Sequence, residues 1–166
     1  MRTVIAVTES GSWTKKKALS TVTLSFEDRF RRRIRMTDDN GDPFMLNLPD
    51  ATQLNDGDGL MLKGGGIIAV KAAPEKVCDA FAHSPLDTAR IAWHIGNRHI
   101  PVQVLPNGGL RIQDDHVIAH MLTHLGAKVI HHIAPFSPES GAYGDHGSGH
   151  AHVKTESINA SAHSNN

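Results

Sequence analysis

Twelve histidines punctuate this chain of 166 residues, and every one lies at position 83 or beyond. Imidazole binds borderline transition metals and also moves protons near neutral pH, so its distribution is the first chemical clue. His94 and His99 flank Gly96-Asn97-Arg98 in "WHIGNRHIPVQV", residues 93 to 104. His116, His120 and His124 recur at four-residue steps in "HVIAHMLTH". His146, His150, His152 and His163 fall in the closing "GAYGDHGSGHAHVKTESINASAHSNN", residues 141 to 166.

Imidazoles one helical turn apart can share a metal ion. At about 100° per residue, His116, His120 and His124 span about 80° of a helix surface. The same spacing also fits a solvent-facing edge that simply carries histidine. A zinc hydrolase of the His-Glu-x-x-His type is not supported, because no glutamate lies in or near this stretch to serve as base. The closing segment, rich in Gly, Ser, Ala and His, has little to bury and reads as a mobile metal-binding tract. Its histidines are neither contiguous nor terminal, which argues against an affinity tag.

Composition limits the alternatives. Apolar residues make up 39% and charged residues 20%, so most of the chain is expected to fold. Seventeen basic residues balance seventeen acidic ones, and nothing points to nucleic acid or an anionic membrane. A single cysteine, Cys78, excludes an internal disulfide framework and a cysteine-rich metal site. The opening "MRTVIAVTESGSW" is too short and polar for a signal peptide, and no apolar run has transmembrane length. A reducing cytoplasm is the expected location.

The elements that must position the histidines divide in two. Twelve of the seventeen Lys and Arg residues lie in residues 1 to 82, opposite in bias to the histidines. "STVTLSF" (20–26), "FRRRIRM" (30–36), "PFMLNL" (43–48), "LMLK" and "IIAVKA" read as five short strands separated by turn clusters, suggesting a small sandwich or barrel. "DDNGD" (38–42) marks a hairpin whose second strand Pro43 weakens near the turn. "RFRRRIR" (29–35) is either the basic outer face of an edge strand, guarding against strand pairing, or a docking patch for an acidic partner.

Beyond residue 73 the period changes. "KVCDAFA" (76–82) alternates as a strand. Ser84 and Pro85 then open a helix with Asp87 in its first turn, and Gly96-Asn97 should stop it near Ile95. "IPVQVL" (100–105) and "LRIQ" (110–113) pair around "PNGG". Asp114 or Asp115 caps a second helix ending at Gly126, and "AKVIHHIAPF" (127–136) closes as a strand. The order β-α-β-β-α-β predicts a ferredoxin-like domain with both helices on one face of an antiparallel sheet. The fold class is therefore α+β: an all-β domain at 1–73, a ferredoxin-like domain at 74–142 and a flexible histidine-bearing tail at 143–166. RNA recognition on that fold needs aromatics on the central strands, and these strands have none.

The first helix is apolar on two sides. Leu86, Ala89 and Trp93 form one face, Ile91 and Ile95 the other, and Asp87, Arg90 and His94 a polar stripe between. A helix of this kind packs its own sheet on one side and another body on the other, a sign of dimerisation. Near a twofold axis, His99 would be presented twice.

"AWHIGNRHIPVQV", "LRIQDDHVIAHML" with "HLGA", and "PFSPESGAYGDHGSGHAH" together resemble the UreE family of urease accessory metallochaperones, and the resemblance covers essentially the whole chain. It implies a cytoplasmic homodimer, not an enzyme, that binds Ni²⁺ and passes it on for assembly of the urease active site. The implied partners are the urease accessory GTPase and the urease apoprotein assembly complex. His99 matches the interfacial nickel ligand supplied by both subunits. His94 and His116 match accessory ligand positions, and His146, His150 and His152 match the tail. The family's first domain resembles the peptide-binding domain of Hsp40-type chaperones, which favours docking at "RFRRRIR". This tail is sparser than the most histidine-rich tails of the family, and His120 and His124 have no counterpart role.

Delivery suits this donor set. Neutral imidazoles hold Ni²⁺ without the grip of thiolates, yet the same histidines are expected to bind Cu²⁺ more tightly and Zn²⁺ as well in vitro. Affinity is expected to fall as pH drops through roughly 6.5, where imidazoles protonate. A histidine-based store or buffer without a client, and a metal-dependent enzyme using His94, His99 and His116, are the alternatives.

Overall fold

The computed structural model describes residues 1–141; His146, His150, His152 and the rest of the expected tail lie outside the described residues. Among the described residues, ten strands form two sheets, and two α-helices accompany the second. The first holds β1 (Arg2–Thr8), β2 (Ala18–Leu24), β3 (Phe30–Thr37), β4 (Pro43–Gln53), β5 (Gly59–Leu62) and β6 (Ile67–Ala72) in the order β2-β6-β5-β1-β4-β3. It curls into a half-barrel around Val4, Val22, Phe44, Leu46, Leu60 and Ile68. The expected five strands are six. "RTVIAVT" is a central strand, parallel to β4 and antiparallel to β5, and its near-continuous apolar run carries no alternation to announce it. The expected hairpin forms, with Thr37 opposite Pro43. Pro43 does no harm, because the pairing with β1 begins one residue later at Phe44.

The second sheet holds β7 (Pro74–Phe81), β8 (Gln103–Val104), β9 (Leu110–Gln113) and β10 (Lys128–Pro135) in the order β10-β7-β9-β8, all antiparallel. With α1 (Pro85–Gly96) and α2 (His116–His124) between them, this is the expected ferredoxin-like arrangement. Ile91 and Ile95 of α1 and Ala119 and Leu122 of α2 are buried with Cys78, Ala80 and Ile112 of the sheet. Local chemistry fixes the helix starts. Ser84 accepts the Asp87 backbone N–H at 3.1 Å, and Asp115, rather than Asp114, accepts those of Val117 and Ile118. Gly126 ends α2 with φ +89°, the left-handed turn a terminal glycine permits. The expected strand at 100–105 shrinks to Gln103–Val104. Val117 of α2 is exposed beside the buried Ala119 and Leu122.

The chain leaving β10 is tied to both sheets. Phe136 is fully buried and meets Phe26 edge-to-face at 5.3 Å, while its carbonyl accepts a hydrogen bond from buried Arg29. This corrects one expectation: Arg29 belongs to a buried junction, with its guanidinium over Phe26, and not to the basic face of β3. The strap then crosses to β8. Ser137 N–H donates to the Gln103 side chain, Glu139 N–H to the Val102 carbonyl at 2.8 Å, and Val104 N–H to the Glu139 carboxylate.

Candidate metal centre

His99 sits just past α1, and its backbone is its most informative feature. Gly96 belongs to the helix, Asn97 stays right-handed, and the reversal falls on His99, the one non-glycine among the described residues with positive φ, at +56°. Its N–H donates to the Gly96 carbonyl, and Ile100 N–H reaches back to that of Ile95. These are the paired bonds of a Schellman cap, with His99 where glycine is usual. The sequence reading placed the stop at Gly96-Asn97, since glycine is the cheaper reversal. A left-handed histidine is tolerated but costs energy, and such outliers gather at functional positions. The side chain is exposed.

His94 lies one turn earlier on α1, half-buried, with its ring edge-on to Trp93 at 5.0 Å. Arg98 donates to its carbonyl. Trp93 and Leu86 are 63% and 61% exposed, whereas Ile91 and Ile95 are buried. The two-sided apolar character of α1 is therefore real, with one side left open. Asp87, Ala89, Arg90, Trp93, His94 and Leu125 line a cleft there of about 440 Å³. His116 opens α2 and is exposed, as are His120 and His124.

Among the described residues no three His, Cys, Asp or Glu side chains converge into a group that could hold an ion. Cys78 offers no thiolate, because burial pushes its thiol up to about 11. Two histidines that the sequence reading passed over do have partners. His131 meets Asp114 at 2.8 Å, and His132 meets Asp79 at 2.9 Å. Asp79 is buried on β7 and also receives two hydrogen bonds from Arg111 of β9. An acidic residue inside "KVCDAFA", opposite the one cation of "LRIQ", was the available signal.

Burial opposes ionisation of Asp79, but the bonds it accepts from Arg111 and His132 outweigh it and hold its carboxyl below the ordinary value. A depressed folded-state value contributes stability that is complete above the unfolded value of about 3.9 and is lost as pH falls through the folded one. Asp79→Asn is therefore expected to cost about 2 kcal/mol at neutral pH. The gap from the parent should close as pH falls below about 4, through the depressed folded-state value. Urea unfolding at several pH values reads this directly, and a constant gap would show that the carboxylate charge is not what Arg111 needs.

Comparison with known proteins decides the family. Residues 3–73 match the model for the UreE urease accessory protein N-terminal domain, and residues 75–165 match that for its C-terminal domain. The chain belongs to the UreE family. It is 47% identical over 138 residues to a urease accessory protein UreE of Rhodopseudomonas palustris (strain HaA2), covering 83% of this chain and 64% of that protein. A UreE of Chelativorans sp. (strain BNC1) is 46% identical over 137 residues, covering 82% and 86%. One of Rhodobacter capsulatus is 40% identical over 154 residues, covering 89% and 94%. The match to the Rhodopseudomonas UreE thus spans slightly less than two thirds of that protein's length.

Proposed function

We propose that this UreE-family chain is a nickel metallochaperone that acts in the cytoplasm as a homodimer, delivering Ni²⁺ for urease active-site assembly without catalysing a reaction. His99 from each copy forms the core site. His94 and His116 are auxiliary ligands, and His146, His150 and His152 cap or supplement the pair. Residues 74–142 bind metal and dimerise, and residues 1–73 meet partners, the urease accessory GTPase and the urease apoprotein complex among them.

The observation that carries the reading is the left-handed backbone of His99. A glycine there would hold the cap at lower cost, so the imidazole is kept for another reason. Two further features support it. The open Leu86–Trp93 face of α1 suits a second copy, which would convert one exposed imidazole into two. The strap hydrogen-bonds through Glu139 to Val102, three residues from His99. His146 stands seven positions after Glu139 in the sequence, so at about 3.5 Å per residue the reach of the chain from that anchor to its Cα is at most about 25 Å. A short tether of that kind gives a high effective ligand concentration.

A nickel-bound crystal is expected to show its anomalous peak between two copies of His99, and a peak elsewhere would displace the assignment. A buffer without a client is the second reading. Affinity capture from nickel-grown cells should retain urease assembly proteins if the chain is a courier, and none if it is a buffer.

A further inference from the structure

The free edge of β3 belongs to the sheet without histidines and takes no part in the nickel reading. β3 ends its sheet, and among the described residues only β4 pairs with it; just past its end the Asp39 N–H donates to the Thr21 carbonyl of β2, so the open stretch of edge is 30–37. Register divides its side chains between two faces, since residues directly opposite in a ladder share one. Ile34 lies opposite Leu46 and Met36 opposite Phe44, and both partners are fully buried, so these two lie on the core face. Ile34 remains 38% exposed at the rim. Arg33 and Arg35 lie opposite Asn47 and Met45 on the outer face and are exposed. Arg31 is paired with Asp28, but Arg32, Arg33 and Arg35 have no ion pair among the described residues.

This edge is selective. A second copy pairing antiparallel here would set arginines against arginines, which disfavours self-association. A polyanionic nucleic acid would leave the Ile34 rim without an apolar partner. A strand that alternates acidic and apolar residues answers both faces, with carboxylates beside Arg33 and Arg35, apolar side chains beside Ile34, and backbone bonds along the edge. We infer that the free edge of β3 is a docking site for an acidic, amphipathic extended segment of a partner protein, which joins the sheet as a seventh strand. The site is independent of whether His99 binds nickel.

The test uses the full chain and a fluorescein-labelled peptide alternating Glu and Val over about eight residues, the length of an ordinary strand. At low salt its anisotropy should rise, and amide exchange across 30–37 should slow. Binding should weaken as salt shortens the screening length. Arg33→Glu with Arg35→Glu should lower affinity by about ten-fold or more and create binding of the matching Lys-Val peptide. If that double reversal disturbs folding, Arg33→Gln with Arg35→Gln gives the same loss without the reversed preference. No binding of the Glu-Val peptide, equal binding of one with its Glu and Val segregated into blocks, or tighter binding of duplex DNA would each overturn the inference.

Discussion

Replacing His99 with alanine is expected to weaken the tightest nickel site by about 100-fold or more, since even groups that only support a metal ligand cost 10–100-fold when lost. In a twofold dimer one substitution removes two ligands, so the loss should exceed that of His94→Ala or His116→Ala alone. A second variant separates metal chemistry from folding. His99 holds φ at +56°, where a glycine is unstrained. His99→Gly should therefore stabilise the metal-free protein by roughly 1 kcal/mol while losing nickel as fully as His99→Ala. Calorimetric nickel titration and thermal unfolding of the metal-free variants measure the two effects. Undiminished tight binding by His99→Ala would remove His99 from the site. A glycine variant no more stable than the parent would show that the left-handed backbone is not retained at a cost.

The contrast between the two ends of α1 shows what the sequence could and could not reveal. Ser84-Pro85 with Asp87 announced the start, because a cap is made within a few residues and its chemistry is local. The finish was misplaced because Gly96 is available nearby, yet the cap closes through Ile95, Gly96 and Ile100 and puts the reversal on His99. Residue type identified the candidate imidazole, and only the fold revealed the backbone feature that singles it out from its neighbours. Non-local pairings were less legible still. β1 lies between β4 and β5, partners about forty residues or more away, and "RTVIAVT" has no period to mark it. Arg29 looked like its neighbours in "RFRRRIR" until Phe136, 107 residues away, enclosed it. The contacts of His131 and His132 depend on the register of β10 on β7, which residue type cannot supply.

Phe136→Ala should produce the largest stability loss among the changes considered, about 3–5 kcal/mol, as expected for deleting a fully buried aromatic ring. The ring touches Phe26 edge-to-face, and the backbone carbonyl beside it accepts from Arg29, so the junction joins the strap to the first sheet. Alanine keeps that carbonyl but removes the packing that holds it against a guanidinium already disfavoured by burial. Such a loss is a large part of the roughly 5–15 kcal/mol that stabilises an ordinary domain. Phe136→Leu, which keeps most of the volume, should cost less than half as much. The functional consequence follows from where the strap leads, since Glu139 is anchored at Val102 and the tail histidines follow it in the sequence. Under conditions where Phe136→Ala is still folded, it should lose the same share of nickel affinity as deletion of residues 143–166, leaving the part that depends on His99. Urea unfolding and nickel titration of both variants decide it. A stability cost below about 1 kcal/mol would mean that the strap is not anchored through this ring. Full nickel affinity in a destabilised but folded Phe136→Ala protein would mean that tail and core site meet without the strap's help.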